Sequence, residues 1–310
     1  MKVVARTKDM PRREWLRWRT NGIGGSDASV IAGCNPYKSV YELWKEKTGQ
    51  TEPEEVENDY VHFGIVLEAV VRNEFMQRTG LKVRAKNAIL QSDEYPFMFA
   101  NLDGIIYENG KKSIFEAKTA SAYKEEEWKR GTPVEYQYQI QHYMAVTGAE
   151  KTYIAALIGG NHFCYHVVER DENMIHEIIC MERTFWNDCV LGGNAPVADG
   201  SEATTKYLSN QFPLAINKDP VALPDECRFL CEQYDQVADE IGRLEKMQTE
   251  LANRMKAMLG KHETGVVGDR RVSWRNYTRT SFDQKKFKEN EEELYNKYQK
   301  TATYRRFMVA

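Results

Sequence analysis

The sequence has 310 residues, of which 42% are hydrophobic and 29% are charged, with a formal net charge of -3 at pH 7. These values exclude a small disulfide-stapled scaffold, a collagen-like repeat and a largely disordered chain, and the length predicts about two domains. No apolar run approaches the roughly 18 residues that a membrane span requires, and the first residues lack the apolar core of a secretory signal. We therefore expect a cytoplasmic protein with no membrane partner.

Charge is distributed unevenly along the chain. Residues 1–20 and residues 261–310 each carry a net charge of +5, so the remaining residues sum to -13. Two basic ends on an acidic body suit a protein that guides a phosphate backbone toward clustered carboxylates. The alternative is that the basic ends are simply solvated. The six cysteines form no CxxC pair, which is typical of buried thiols in a cytosolic chain rather than of a metal site.

Helical and strand-like patterns alternate in the first part of the chain. Residues 63–80 repeat apolar side chains at helical spacing and end at Gly80, where a C-capping glycine belongs. The pattern predicts a helix with Glu68 on the rim of its apolar face. Residues 105–118 predict two strands around Asn109 and the glycine that follows it, which together are a strong hairpin signal.

The next predicted elements are a helix and two strands. The residues from Thr132 to Glu135 match a capping box with proline at the first helical position, and the predicted helix runs to Gly148. Residues 151–160 and 162–170 have the composition of strands.

A change in composition divides the chain. Residues 196–220 are rich in glycine, proline, serine, threonine and asparagine, which predicts a linker between a domain at 1–195 and an extension at 221–310. In the extension, apolar residues follow a 4-3 spacing from Leu230 to Met258, with a glutamine at one core position. This seam predicts a long helix packed against another helix, within or between chains.

The last fifty residues are predicted to form a hairpin, a charged helix and a terminal strand. The hairpin covers 265–277 and alternates Arg271 and Arg275 with apolar residues, so one face is basic. Such a face fits a strand pair lying on DNA, although solvated arginines on a packed ribbon fit equally well. The helix lies near 283–299, and the strand follows it.

The predicted hairpin at 105–118 brings two carboxylates together. Its two-residue turn places Asp103 opposite Glu116, and like charges at opposed positions destabilise a strand pair, so a bound divalent cation is the simplest reason for them. Lys118 projects from the same face as Glu116 because strand side chains alternate, and Glu68 can join from the adjacent helix. Such oxygen ligands suit Mg²⁺, for which Mn²⁺ can substitute. The alternative is an ordinary exposed hairpin with a salt bridge between Glu116 and Lys118.

Six segments between residues 12 and 170 carry a family resemblance. They read, in order, RTNGIGGSD, NPYKSVYELWKEKTG, HFGIVLE, ANLDG, FEAK and QYQIQHYMAVTG. As an ordered set they resemble the YqaJ-type phage recombination nucleases, which are relatives of lambda exonuclease in the PD-(D/E)XK superfamily. The resemblance implies the α/β (α+β) class, with a central mixed β-sheet flanked by helices. A long C-terminal helix and a small hairpin and helix extension follow this core.

The resemblance also implies roles for the acidic cluster. In the family pattern Glu68, Asp103 and Glu116 are metal ligands, Lys118 is the catalytic lysine, and the carbonyl of Ala117 is a further ligand. The superfamily's usual Pro-Asp is Leu-Asp here, which leaves the carboxylate chemistry intact.

Five further residues match positions that bind DNA in related nucleases. Gln139 and Tyr143 match a QxxxY helix and lie four apart on one helical face, and Gln141 also matches a family glutamine. Arg19 and Ser26 match the residues that bind the 5′-terminal phosphate of the digested strand. The glycine-rich loop before Ser26 allows close backbone approach, and arginine offers paired donors to an anion.

The resemblance implies a Mg²⁺-dependent exonuclease that digests double-stranded DNA ends from 5′ to 3′ and leaves single-stranded overhangs for phage-type recombination. It further implies a homo-oligomer, a ring-shaped trimer as in lambda exonuclease, a single-strand annealing protein as partner, and the cytoplasm of a bacterial host cell. A restriction-like endonuclease and a catalytically silent DNA-end adaptor are the alternatives.

Overall fold

The structure is a computed structural model and describes residues 1–53, 58–108 and 110–309. The chain divides into two compact units, Met1–Gln211 and Phe212–Ala310. The linker predicted at 196–220 spans this division and contains a helix at Glu202–Gln211, in which Ala203 and Thr204 are buried.

The first unit is a mixed α/β fold, which confirms the predicted class. Its strands in the described residues are β1 (Lys2–Arg6), β2 (Val83–Arg84), β3 (Ala88–Gln91), β4 (Phe99–Asn101), β5 (Gly104–Glu108), β6 (Lys111–Ala120), β7 (Lys151–Ile158) and β8 (His162–Glu169). Its helices there are α1 (Arg12–Thr20), α2 (Gly25–Ile31), α3 (Val40–Lys47), α4 (Asp59–Thr79), α5 (Glu125–Arg130), α6 (Val134–Thr147), α7 (Glu172–Thr184) and α8 (Glu202–Gln211). None of the helices in the described residues combines the length and the apolarity needed to cross a membrane.

A five-stranded sheet with the order β2-β5-β6-β7-β8 forms the centre of this unit. The pairing of β6 with β7 is parallel, and the other pairings are antiparallel. The register between β5 and β6 pairs Ile105 with Ile114 and Glu108 with Lys111, as the sequence predicts. Asn109 of the predicted turn lies outside the described residues. A second antiparallel sheet contains β1, β3 and β4.

Helices cover both faces of β6, and the alternation of its side chains decides which helix each residue meets. Phe115 packs in one cluster with Phe75 of α4 and with Tyr153 of β7. Side chains on the other face of the sheet pack against α5 and α6, where Ile140 meets Ile154. Helix α4 therefore lies on the sheet face opposite to the one from which residues 114, 116 and 118 project.

Helix α4 is longer than the sequence predicts. It begins at Asp59 and ends before Gly80, which has a φ of +73° and caps the helix as predicted. Val71 and Phe75 are buried, but Phe63 and Val70 of the predicted apolar stripe are about half exposed, so the prediction is wrong for these two.

Helix α6 ends as predicted and begins differently. Gly148 has a φ of +70° and caps its C-terminus. The predicted capping box is wrong, because Pro133 occupies the N-cap position, and Thr132 lies one residue too early to reach the unpaired amides. The hydroxyl of Thr132 is buried and makes no hydrogen bond with the described residues.

The second unit contains the predicted long helix. Its described elements are α9 (Glu226–Leu259), β9 (Thr264–Val267), β10 (Arg270–Ser273), α10 (Gln284–Asn290) and α11 (Glu292–Tyr298). The apolar seam of α9 is exposed at Val237 and Ile241. The predicted helix at 283–299 is interrupted at Glu291. The predicted terminal strand is wrong, because residues 301–309 pair with no described strand.

A buried hydrogen-bonded pair, His142 and Glu182, connects α6 and α7 with β4. The Nδ1 atom of His142 lies 2.6 Å from a carboxylate oxygen of Glu182, and its Nε2 atom lies 2.8 Å from the carbonyl oxygen of Phe99. A carbonyl oxygen can only accept, so Nε2 donates to it. Burial lowers the pKa of His142, but the charge and the hydrogen bond of Glu182 raise it more, so the net shift is upward.

We predict that Glu182→Ala destabilises the protein by about 3–5 kcal/mol, because it leaves a buried imidazole without its partner. Glu177→Ala is the matched control, since Glu177 lies on the same helix and is exposed. Its effect should stay within about 0.5 kcal/mol. Urea unfolding followed by circular dichroism measures both, and equal midpoints for the two variants would contradict the assigned role of the pair.

Candidate active site

A pocket of about 200 Å³ opens where α2 and α6 meet the ends of β4 and β5. It collects residues that are far apart in the sequence. Its walls include two carboxylates of the predicted cluster, two residues of α6 and the glycine-rich loop, and the lining residues are Trp15, Arg19, Gly24, Gly25, Ser26, Ile89, Phe99, Ala100, Asn101, Asp103, Glu116, Gln139 and Tyr143. Six of the predicted site residues therefore surround one cavity.

Glu116 lies at the bottom of this pocket, on the central strand β6. It is 3% exposed, and its Oε1 atom accepts hydrogen bonds from Lys118 at 2.9 Å and from Gln139 at 2.7 Å. Its Oε2 atom is buried and has no hydrogen-bond partner among the described residues. Burial raises the pKa of Glu116 to about 8, the charge of Asp103 adds to this rise, and Lys118 opposes it.

The position of Asp103 is set by the pairing of β5 with β6, in which the next residue, Gly104, lies opposite Phe115. Its Oδ2 atom accepts a hydrogen bond of 2.9 Å from the backbone N–H of Ala117, which places its carboxylate beside that of Glu116. Burial raises the pKa of Asp103, although the Lys118 charge opposes the rise.

Glu68 approaches this region from α4, on the other face of the sheet. Its carboxylate is partly exposed and lies 3.3 Å from the guanidinium of Arg72. Burial raises the pKa of Glu68, and the negative charge of Asp103 raises it further, so these two carboxylates are within electrostatic reach of each other. Glu68 is not among the residues that line the pocket.

Lys118 and Gln139 form a polar network with Glu116 and Tyr143. The Nζ atom of Lys118 donates to Glu116 and, at 2.9 Å, to the amide oxygen of Gln139. The Nε2 atom of Gln139 donates in turn to Glu116 and, at 3.1 Å, to the hydroxyl of Tyr143. Gln139 therefore fixes the positions of both the carboxylate and the ammonium group.

The acidic residues fit a divalent cation in their chemistry. An unpartnered, buried carboxylate oxygen is costly, and a cation would remove both this cost and the repulsion between Glu116 and Asp103. In the described part of the chain, no three or more His, Cys, Asp or Glu side chains are already gathered into a metal site. Glu68 lies on α4, which packs on the opposite face of the sheet.

Arg19 and Ser26 lie together on the opposite wall of the pocket. The Nη2 atom of Arg19 donates to the hydroxyl of Ser26 at 2.6 Å and to Asp27 at 3.0 Å. The guanidinium carbon of Arg19 lies 4.9 Å from the ring centre of Trp15, which supports it from the side. Arg19 therefore presents its remaining donors at the pocket while two partners hold its position.

A buried ion pair anchors this wall from behind. The side chain of Lys47 is 3% exposed, and its ammonium donates at 2.7 Å to Asp27 and to the carbonyl oxygens of Arg19 and Gly22. Burial raises the pKa of Asp27, but the positive charges of Lys47 and Arg19 lower it more, so the net shift is downward. Asp27 also accepts a hydrogen bond of 3.0 Å from the backbone N–H of Gly24.

The structure corrects the prediction for Gln141. Its side chain is buried on the other side of α6, where it donates to the carbonyl oxygen of Glu169 at 2.8 Å and accepts from the backbone N–H of Asp171 at 3.0 Å. Two residues along a helix rotate a side chain by about 200°, so Gln141 faces away from Gln139 and Tyr143. Both polar ends are used in joining β8 to α7, and Gln141 makes no contact with the pocket.

The sequence analysis missed Lys47 and the role of Asp27. Lys47 lies at the end of a helix that carries several charged residues, and nothing in its spacing distinguishes it from Lys45. Asp27 has a local signal, because it is the third residue of α2 and its carboxylate accepts a hydrogen bond from the backbone N–H of the N-cap residue Gly24.

We predict that Lys47→Met destabilises the protein by about 3–5 kcal/mol, since it leaves Asp27 buried beside a single cation and two carbonyl oxygens without their donor. Lys45→Met on the same helix is the matched control. The ammonium of Lys45 lies over the ring of Tyr41, 5.6 Å from its centre, and its loss should cost less than about 1 kcal/mol. Denaturant unfolding compares the two, and a stability loss as small for Lys47→Met as for Lys45→Met would contradict the anchoring role.

Comparison with known proteins identifies the family. The model of the YqaJ-like viral recombinase domain matches residues 14–150. The uncharacterized protein YqaJ of Bacillus subtilis (strain 168) is 41% identical over 310 residues, which cover 99% of this chain and 97% of the relative. Two solved structures are similar, an alkaline exonuclease (LHK-Exo) from Laribacter hongkongensis and a phage related exonuclease from Haemophilus somnus 129PT.

The first of these structures is 22% identical with a TM-score of 0.48, and the match covers 64% of this chain and 96% of that one. The second is 14% identical with a TM-score of 0.43, and the match covers 56% of this chain and 96% of that one. The family resemblance of the sequence segments is confirmed by the family model and by the extent of the match to the Bacillus relative. The chain belongs to the YqaJ family, whose members carry a YqaJ-like viral recombinase domain.

Proposed function

We propose that this protein is a metal-dependent nuclease that digests DNA from double-stranded ends. The observation that carries the proposal is the environment of Glu116, whose buried Oε2 atom has no hydrogen-bond partner among the described residues, while Asp103 lies beside it and Lys118 binds its other oxygen. Glu116 lines the same pocket as Arg19 and Ser26, which the family resemblance assigns to phosphate binding.

Mg²⁺, or Mn²⁺ in its place, is the cofactor that these oxygen ligands would select. Asp103 and Glu116 would hold it, with Glu68 joining from α4 and the carbonyl of Ala117 as a further ligand. When bound, such an ion polarises a phosphodiester and lowers the pKa of a coordinated water.

The protein's own contribution begins with Lys118. An ammonium group has three N–H donors, and Glu116 and Gln139 accept two of them. The third can donate to a phosphate oxygen or to the attacking water, where a positive charge stabilises the charge that develops in the transition state. Gln139 prevents Lys118 from turning toward Glu116 alone, because its amide oxygen accepts from the ammonium on a second side.

The opposite wall would bind the terminal phosphate of the strand that is digested. The Nη2 atom of Arg19 is used by Ser26 and Asp27, which leaves its other donors for an anion. The hydroxyl of Ser26 accepts a hydrogen bond from Arg19 and can donate a hydrogen bond to a phosphate oxygen. A phosphate held here would lie in the same pocket as Glu116. The 5′ to 3′ direction comes from the family resemblance, in which these two positions bind the 5′-terminal phosphate.

The finer parts of the proposal rest on the family. A viral recombinase domain supports a role in phage-type recombination, in which the product is a single-stranded overhang. A single-strand annealing protein as partner, a ring-shaped trimer and direct DNA contacts of Gln139 and Tyr143 stay predictions from the resemblance.

Glu116→Gln and Lys118→Ala should each reduce Mg²⁺-dependent digestion of linear duplex by at least about 100-fold, because each removes a group that acts on the transition state. Duplex binding in the presence of a chelator should persist in both. Glu108→Gln is the matched control, since Glu108 lies on the same hairpin and contacts Lys151 and Tyr153 instead of the pocket. Its rate should remain close to that of the unchanged protein.

The alternatives are separated by the substrates in this assay. Closed circular duplex should stay intact, whereas a restriction-like endonuclease would cut it. A silent DNA-end adaptor would bind duplex and show no metal-dependent digestion of either form. The proposed site would be contradicted if Glu116→Gln or Lys118→Ala digested linear duplex as fast as the unchanged protein.

Arg19→Ala should reduce the preference for a 5′-phosphorylated end over a 5′-hydroxyl end by about 10- to 100-fold, the loss of hydrogen bonds from a charged donor. Arg17→Ala is the control, because Arg17 is exposed on the same helix and does not line the pocket. Digestion rates on the two ends give the preference as a ratio. An equal fall on both ends for Arg19→Ala would remove the phosphate assignment.

A further inference from the structure

The second unit carries a concentrated positive charge beside an acidic helix. Residues 261–282 contain five lysines and arginines against two acidic residues, whereas 226–260 contain five against seven. Four arginines and two aromatic residues fall within ten positions, namely Arg270, Arg271, Trp274, Arg275, Tyr277 and Arg279. We name the segment from β9 to residue 279 the arginine ribbon.

The arginines of the ribbon form no ion pairs within the part of the chain that the structure describes. By contrast, Arg243 on α9 of the same unit forms an ion pair with Glu240 at 2.6 Å. The ribbon therefore presents four uncompensated guanidinium groups to solvent.

The hairpin register shows which side of the ribbon is exposed. Gly265 is opposite Val272, and a Cβ atom on Gly265 would lie 2.9 Å from Leu259, so this face packs on the end of α9. Arg271 is opposite Val266, and both face away from the helix because neighbouring residues of a strand alternate.

The alternation continues beyond β10. The backbone N–H of Trp274 donates to the carbonyl oxygen of Glu263 at 2.8 Å, which extends the pairing by one residue. Trp274 then falls on the helix side, where the ammonium of Lys256 lies 5.7 Å from its ring centre. Arg275 falls on the outer side with Arg271, four residues or about 13.6 Å further along the extended chain.

Exposed aromatic rings accompany these arginines. Tyr277, two residues beyond Arg275 in the chain, is 86% exposed, and Trp274 on the helix side is 53% exposed, although burial of an aromatic side chain is normally favourable. Exposed guanidinium groups next to an exposed ring match a chain that offers both phosphates and bases. Duplex DNA keeps its base faces stacked and can offer only phosphates, and an acidic protein segment has no regular π-face.

We propose that the arginine ribbon binds single-stranded DNA, with Arg271 and Arg275 on phosphates and Tyr277 stacked on a base. The proposal concerns binding by the second unit and does not depend on cleavage in the first. The proposed binding is independent of base sequence, because arginines on phosphates and a ring stacked on a base face make no base-edge contacts.

The test measures binding of the full chain to a labelled 20-nucleotide oligothymidine with a 5′-hydroxyl end, by fluorescence anisotropy in a chelator. Arg271→Gln/Arg275→Gln should weaken binding at least about tenfold and make the salt dependence shallower by about 1.4 in log Kd per log salt, the value for two phosphate contacts on a single strand. Lys285→Gln/Lys286→Gln removes the same charge from exposed positions of α10 and should change the affinity less than twofold.

Tyr277→Ala isolates the stacking contribution. It should weaken oligothymidine binding by about 5- to 100-fold, leave the salt dependence unchanged and leave binding to a blunt hairpin duplex unchanged. The proposal is overturned if the arginine pair loses no more affinity than the lysine pair, or if Tyr277→Ala affects both DNA forms equally. The binding measurement does not depend on cleavage, so it tests the arginine ribbon even if the proposed nuclease function is wrong.

Discussion

The burial of one carboxylate on a central strand is the constraint that organises the first unit. Glu116 projects from β6 between two paired strands, and water does not reach its second oxygen atom. An uncompensated charge in such a place costs several kcal/mol, so the surroundings either neutralise it or keep it protonated. Both responses are visible in the structure: Lys118 and Gln139 donate hydrogen bonds to Glu116, and the pKa of Glu116 is raised.

The two walls of the pocket are mechanically connected through α6. Tyr143 accepts a hydrogen bond from Gln139, which holds Glu116, and its ring lies against the first residue of α2. The loop that carries Ser26 therefore rests on the same helix that orders the carboxylate. On its far side, this loop is held by Lys47 and Asp27. The wall that carries Arg19 and Ser26 and the wall that carries Glu116 are thus fixed relative to each other by buried contacts, although the residues come from four separate segments.

Local patterns in the sequence predicted β5 to β8, the C-terminal ends of α4 and α6 and the register that pairs Ile105 with Ile114, because these depend on turn glycines and on period-two alternation. The position of Gln141 was not predictable in this way, since a family match cannot tell which of two polar residues on a buried helix faces the pocket. The capping box at Thr132 failed because a proline took the N-cap position, and Lys47 gave no signal because its partners are backbone carbonyls from a distant segment. Tertiary partners, which short sequence windows do not contain, decided each of these cases.

The close approach of Gly25 to Tyr143 has a consequence for how this sequence can vary. A methyl group on Gly25 would lie 2.4 Å from the tyrosine ring, which is closer than real atoms come. Any larger residue there would displace the ring, and the displacement would pass through Gln139 to Glu116, over ninety positions away along the chain. Position 25 must therefore remain glycine in any related sequence that keeps the pocket, whereas neighbouring exposed turns can accept substitutions.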